Sequence, residues 1–424
     1  MMSKLSPQKS SWPGIRKFFN DVHLWLGLSS GLVVIVICFT GTVYVFNTEL
    51  TEKAAPHLYK VERPAGKERI PVDSLMEKIK NESDGTITTI TIPADPKRTY
   101  QFNVKKKGDE NRAVISYMVN PYTGDIVGNS KEKNGTKEFM STMFSLHRWL
   151  LLDKVKTPII GKVTNRKLGS MITGLATIIF TLGCITGLVI WFPQRMKNWR
   201  QGLRVKWKAG WKRVNHDLHN SLALYAVFFL LLMGLTGPQW SFEWYRTGLQ
   251  KVLGTYKSKD APKESGSKST LPRSQAPFVS LSIADYIKKA EGVLTYPGNY
   301  TIALPEDSTA TAMISKTKTG FFAPAAGDRL IMDRYTGEIL KTDIFKDKPF
   351  NERVAGSIKA IHVGNVYGTF TKIIYFIACL IATSLPVTGT MIWLNKLKKK
   401  RRRKRIATAT RNVPQSVAQQ QFLN

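Results

Sequence analysis

The chain has 424 residues, 43% of them hydrophobic and 22% charged, with a formal net charge of +33. Those averages would suit a soluble protein, but the distribution along the chain excludes one. Four uncharged apolar runs, Leu24–Phe46, Leu168–Phe192, Leu222–Phe242 and Ile373–Leu394, each reach the roughly 20 residues that cross a hydrocarbon core.

The first run follows Arg16 and Lys17, as a secretory signal would. It is too long for such a signal's apolar stretch, and no small-x-small site follows closely, so it reads as a retained anchor. Orientation comes from the basic residues. Residues 1–22, Arg195 to Arg213 and Lys396 to Arg405 together hold 21 Lys and Arg against one acid, Asp21. The positive-inside rule puts all three segments in the cytoplasm. Attraction to the lipid bilayer's anionic headgroups accounts for their charge. Nucleic acid is not expected as a partner, because the basic tracts abut the spans. The predicted order is a cytoplasmic N-terminus (1–22), a first span (23–46), a first outer domain (47–138), an outer interfacial segment (139–167) and a second span (168–192). A basic cytoplasmic loop (193–218), a third span (219–242), a linker with a second outer domain (243–351), an outer helix with the fourth span (352–394) and a basic tail (395–424) follow. The three cysteines, Cys38, Cys184 and Cys379, all fall inside spans and read as small apolar packing residues.

The chain reads twice through one plan of span, outer domain, span. Thr40-Gly41 and Thr236-Gly237 recur at an offset of 196, which also carries His23 onto His219. Thr186-Gly187 and Thr388-Gly389 recur at 202, as do Trp191 and Trp393. Each outer segment opens with a helical pattern, Val72–Lys80 or Leu281–Ala290. Strand-like stretches follow: Ile87–Ile92 and Tyr100–Lys105 in the first, Tyr300–Leu304 and Ala310–Ser315 in the second. Both end in strand–turn–strand, around Tyr122-Thr-Gly124 and Tyr335-Thr-Gly337, where glycine suits the positive φ of a tight turn. Helix first and antiparallel sheet after it predicts α+β domains. Residues Gly266–Thr270 read as a linker.

Two Tyr-Thr-Gly-acid hairpins, a Thr-Gly pair late in each span and histidines at span entrances resemble the PepSY-associated transmembrane family, from His23 to Lys396. The resemblance implies a membrane α-helical fold: a four-transmembrane-helix bundle with two extracytoplasmic α+β PepSY-like domains and an internal two-fold repeat. It implies a bacterial inner membrane location, multi-pass, N-in and C-in. Some members resemble haem-bearing ferric-siderophore reductases, and PepSY domains are also linked to peptidase inhibition.

Of six histidines, His57 sits in polar company and reads as a surface residue. The others lie at or near span ends: His23 with His216 and His219 at the cytoplasmic face, His147 and His362 at the outer face. An imidazole from each of two facing helices can clamp a haem iron axially. The predicted axial ligands are therefore His23 with His219, and His147 with His362, for two haem b groups held non-covalently, since no Cys-x-x-Cys-His occurs. A non-haem metal or a purely structural role are the alternatives. His216 and His219 share a helix face; the repeat favours His219, and His216 stays an alternative ligand or propionate partner. Arg148 adjoins His147 and suits a haem propionate or an interfacial position. The Thr-Gly pairs suit either helix packing or the close approach of a porphyrin. Trp25, Trp149, Trp191, Trp240 and Trp393 read as an aromatic belt. The expected function is a di-haem reductase passing electrons outward to a ferric siderophore. The donor, cytoplasmic or quinol, is unassigned, because no nucleotide or flavin motif is present. A membrane-anchored PepSY regulator or binding module without redox activity is the rival reading.

Overall fold

The structure, a computed structural model, describes residues 12–106, 114–192, 199–258, 269, 281–305, 307 and 309–411. The chain divides into two compact units. A membrane unit comprises Met1–Thr42, Ser145–Phe242 and Phe376–Asn424, and a sheet unit comprises Val43–Phe144 and Glu243–Tyr375.

The helices in chain order are α1 (Trp12–Tyr44), α2 (Asn47–Ala54), α3 (Pro56–Tyr59), α4 (Val72–Glu82), α5 (Gly135–Trp149) and α6 (Asn165–Trp191). After these come α7 (Trp199–Gly202), α8 (Trp211–Thr236), α9 (Glu243–Val252), α10 (Ile283–Glu291), α11 (Phe350–Val363) and α12 (Gly368–Arg411). Among the described residues, four helices are long and apolar enough to cross a membrane: Gly14–Tyr44, Asn165–Trp191, Trp211–Trp240 and Gly368–Ile406. All four begin before the predicted runs; the fourth contains its run whole, and the others stop one or two residues short, at Tyr44, Trp191 and Trp240. The third begins at Trp211 rather than at 219, so the last turns of the predicted basic loop are helical. Charged residues end the apolar run without ending the helix, because Lys and Arg are good helix formers. For the same reason α12 runs on through Lys396–Arg405 to Arg411. Within the third, α8 stops at Thr236 and a 3-10 turn over Pro238–Trp240 completes the span, because proline has no N–H to continue the ladder.

The membrane unit buries many polar side chains and turns many large apolar ones outward. Leu32, Leu175 and Phe228 are exposed, whereas Ser30, Thr40, Thr173, Thr186, Asn215 and Ser221 are buried. Its apolar centre is a small cluster of Ala226, Leu230, Ala378 and Ala382, with Cys38, Cys184, Phe180 and Met233 against it. The cysteines are free thiols and pack there as expected. Gly31 makes room for Pro386 of α12, whose Cβ would lie 3.2 Å from a Cβ at position 31.

In the sheet unit the strands are β1 (Gly85–Ile92), β2 (Tyr100–Lys106), β3 (Val114–Val119), β4 (Ile126–Asn129), β5 (Gly298–Ala303), β6 (Ala312–Lys318), β7 (Asp328–Met332) and β8 (Ile339–Asp343). They form one antiparallel sheet in the order β4-β3-β2-β1-β5-β6-β7-β8. The expected Tyr-Thr-Gly turns are present, with φ of +76° at Gly124 and +65° at Gly337. In each, a side-chain acceptor holds the turn: Asn120 Oδ1 takes Tyr122 N at 2.9 Å, and Asp333 Oδ1 takes Tyr335 N at 2.8 Å.

The two expected halves share one sheet, joined at a seam. Strands β1 and β5 pair directly, Ile90 opposite Ile302 and Ile92 opposite Tyr300. One core then runs through both halves, with Leu75 and Ile79 of α4, Ile283 and Tyr286 of α10, and Phe102, Ile314 and Leu330 from the strands. Each half alone would have two strand edges, and the β1–β5 pairing satisfies the free N–H and C=O groups of one edge from each. The Asp73 carboxylate of α4 also accepts the Ile283 N–H that opens α10, at 3.0 Å. The predicted linker lies outside the described residues, apart from Ser269.

Candidate functional site

Four of the five span-end histidines lie in the membrane unit, and three of them, His23, His147 and His219, each meet a Thr-Gly pair of a neighbouring helix. His23 of α1 turns Nδ1 to the Gly183 carbonyl of α6 at 3.0 Å and to Thr186 Oγ1 at 3.1 Å. A carbonyl only accepts, so Nδ1 carries the proton. Thr186 donates its own hydroxyl proton to the Gly183 carbonyl at 3.0 Å, which leaves a lone pair for the imidazole. His219 of α8 repeats the arrangement on α12, with Nδ1 2.8 Å from Thr388 Oγ1. The Thr388 proton is directed at the Ser384 and Leu385 carbonyls, at 3.0 and 3.1 Å, so here too Nδ1 donates. His147, in the last turn of α5, donates Nδ1–H to the Ile37 carbonyl of α1 at 2.9 Å and lies 3.5 Å from Thr40 Oγ1. Burial lowers the His147 pKa, helped by the Arg148 charge and opposed by the Ile37 bond.

Glycine is the second half of each cradle. A Cβ at Gly187 would stand 3.0 Å from His23 Cε1, one at Gly389 3.2 Å from His219 Cε1, and one at Gly41 3.2 Å from His147 Cε1. All three are tighter than ordinary carbon contacts. The threonine thus fixes the tautomer and the glycine admits the ring. With Nδ1 protonated, Nε2 keeps the lone pair that a metal uses.

The rings of His23 and His219 lie 6.4 Å apart between centroids, at 79° to each other. That spacing is an edge-to-face ring contact. Both rings spend Nδ1 on a neighbouring helix, which leaves Nε2 as the nitrogen that a metal would use. Among the described residues no group of three or more His, Cys, Asp or Glu side chains can hold a metal ion. A bare zinc or non-haem iron site draws three or four ligands from protein, whereas a porphyrin brings its own equatorial nitrogens and asks for two axial ones. The donor set fits haem.

The remaining candidates fall elsewhere. His216 is half-exposed and turned to Asp217, with Nδ1 3.6 Å from Oδ1, and to Asn220; it is not beside His23. Asp217 itself is buried, held by Arg213 Nε at 2.8 Å. Arg148 donates to Ser170 Oγ at 3.0 Å, to Ser241 Oγ at 2.9 Å and to the Trp240 carbonyl, bracing α5 against α6 and the turn after α8. His362 occupies the last turn of α11 and belongs to the sheet unit. His57 is exposed and meets Glu132 at 3.1 Å, a surface residue as expected. Of the aromatic belt, Trp25 and Trp240 are exposed, and Trp149 carries the Arg166 guanidinium over its ring at 4.2 Å.

His23 and Ile37 lie fourteen residues apart on α1, which separates the His23 and His147 levels by about 21 Å along the axis. The family model for the PepSY-associated TM region matches residues 21–396. The chain belongs to the PepSY-associated TM family. No curated protein matches it in a sequence search.

In this PepSY-associated TM protein the sequence pattern pointed to the histidines but missed their cradles. Thr186, Thr388, Thr40 and the glycines after them were read as packing residues or porphyrin contacts, and they hold imidazole rings instead. A signal was available: one late Thr-Gly per span matches one span-end histidine per span.

Proposed function

We propose that this protein is a di-haem b oxidoreductase of the bacterial inner membrane. It carries electrons outward to Fe(III) held in a siderophore. The observation that carries the reading is the His23–His219 pair: two neutral imidazoles from different helices, each tied at Nδ1 and each with Nε2 free. Haem b, when bound, supplies reversible one-electron chemistry at iron.

The chain's own groups do the rest. Gly183, Thr186 and Thr388 hold the Nδ1 protons, which orients both rings and strengthens them as ligands. The cluster around Leu230, Ala378 and Ala382 keeps water from the bundle between the His23 and His147 levels. His147, oriented by Ile37 and Thr40, is proposed as a ligand of the outer group. Arg148 stands next to His147 as the candidate for a propionate. The basic segments favour N-in and C-in, which places the sheet unit, as two fused PepSY-like repeats, in the periplasm to receive the acceptor. The outer electron leaves by reducing Fe(III) to Fe(II), which hard oxygen ligands hold far less tightly.

The test uses the purified protein in vesicles of known orientation, with a reductant at the cytoplasmic side and a ferrous-iron chelator outside. Wild type should reduce an added ferric siderophore, and His219→Ala should fall to background. A colourless protein without this activity would leave the regulator reading in its place.

A further inference from the structure

Three exposed aromatic rings meet at the start of α12, and a fourth exposed aromatic residue, Tyr367, precedes it in the chain. Phe321 and Phe322 lie in the loop between β6 and β7, and Tyr367 and Phe370 flank the start of α12; they are 49%, 63%, 54% and 41% exposed. The Phe321 and Phe322 rings are 4.8 Å apart, and Phe322 lies 5.1 Å from Phe370.

Backbone bonds strap this loop to the helix. Phe370 N donates to the Phe321 carbonyl at 3.2 Å, and Ala325 N donates to the Val366 carbonyl at 3.2 Å. Pro324 forms an isolated antiparallel bridge with Tyr367. Gly368, at φ +56°, has no room for a side chain, since a Cβ would stand 2.9 to 3.3 Å from the carbonyl oxygens of Phe321, Gly320 and Ala323. The first N–H groups of a helix have no partner within it, and lipid offers none. The Phe321 carbonyl supplies one.

Along α12, Phe370 begins an exposed apolar stripe that continues through Ile373, Ile377 and Leu380, at the spacing of one helix face. On a helix that crosses a membrane that stripe faces lipid, and Phe322 rests on its first member. Left in water, the three phenylalanine rings would form a contiguous apolar patch of the kind that marks an interaction site. By sequence the first half offers no equivalent: between β2 and β3 it reads Lys107-Gly-Asp-Glu-Asn-Arg112.

We propose that the Gly320–Ala325 loop is a membrane-seated element, with Phe321 and Phe322 entering the boundary between headgroups and acyl chains of the bilayer. The loop thereby anchors the second half of the sheet to the membrane at a point that is not itself a span. The bilayer is the occupant because the patch is continuous with the lipid-facing stripe of α12. The proposal is independent of the redox reading.

The test places a nitroxide spin label at Phe322→Cys of the full chain in liposomes, with the unlabelled native-cysteine protein as blank. Collision with oxygen is compared with collision with a water-soluble nickel chelate. Labels at Ile377→Cys and Lys289→Cys give the lipid and water references. The Phe322 label should respond to oxygen as the Ile377 label does and lose its response to the nickel chelate. Nickel access equal to that at Lys289 would overturn the proposal. Poor access to both would also overturn it, because that is burial against protein. Dipolar broadening that grows with protein density would instead assign the patch to a second copy of the chain. If the Phe322 variant does not fold, Phe321→Cys asks the same question.

Discussion

The two units of this chain solve opposite burial problems. In the sheet unit the residues with no exposure are apolar: Ile90, Phe102, Ile302, Ile314 and Leu330. In the membrane unit many of the buried residues are Thr, Ser and Asn, and most of the large apolar side chains point outward. A sheet in water gains stability by hiding hydrocarbon. A bundle in lipid gains little that way, so its interior is free to hold polar groups that orient one another. That contrast shows where to look for chemistry. In the sheet unit a buried hydroxyl is an exception, and in the bundle it is a clue that leads from Thr186 and Thr388 to the two facing histidines.

The sharpest division between the units comes from His219→Ala. It should abolish the inner haem, measured as the loss of one of two haem contributions in the absorption spectrum, while the sheet unit melts unchanged. His216→Ala, on the exposed face, should leave both contributions in place. The converse change is Ile302→Ala at the β1–β5 seam. It removes a fully buried side chain and should cost about 2–5 kcal/mol in the unfolding of the sheet unit, followed by circular dichroism, with the haem spectrum unaltered. If the two halves of the sheet were independent domains, this substitution would unfold only the second half.

A smaller effect is expected from Thr388→Val. The His219 Nδ1–H loses its acceptor, and a lost partner behind a metal-bound histidine typically lowers affinity by about 10–100-fold. The imidazole also becomes a poorer electron donor, so the midpoint potential of the inner haem should rise in redox titration. The mildest contrast compares two glycines of α6. Gly187→Ala pushes a methyl group to 3.0 Å from His23 and should weaken inner-haem binding. A Cβ at Gly183 meets nothing within 4 Å, so Gly183→Ala should stabilise the helix by about 1 kcal/mol and leave the haem spectrum as it was.

What the sequence disclosed follows the range of its patterns. Uncharged runs and the Tyr-Thr-Gly turns are local, and both appear where expected. The repeat offset of 196 preferred His219 to His216, and the helix that starts at Trp211 turns His219 to His23 while His216 faces Asp217 and Asn220. The seam between β1 and β5 was not legible, because alternating apolar residues show that a strand has a buried face without naming the strand beside it. The cradles were not legible for a related reason. Thr186 and Gly187 touch a residue 163 and 164 positions away in the chain, and only the bundle brings His23 to them.

The central claim is that His23 and His219 are the axial pair of a bound haem. It is tested most directly on the purified protein, expressed with ample haem, by a pyridine haemochrome assay combined with electron paramagnetic resonance. About two haem b per chain, with low-spin signals from bis-imidazole ligation, is the predicted result. His23→Ala and His219→Ala should remove the same one of those signals. A wild-type protein that folds, carries adequate haem supply through expression and contains none would contradict the account.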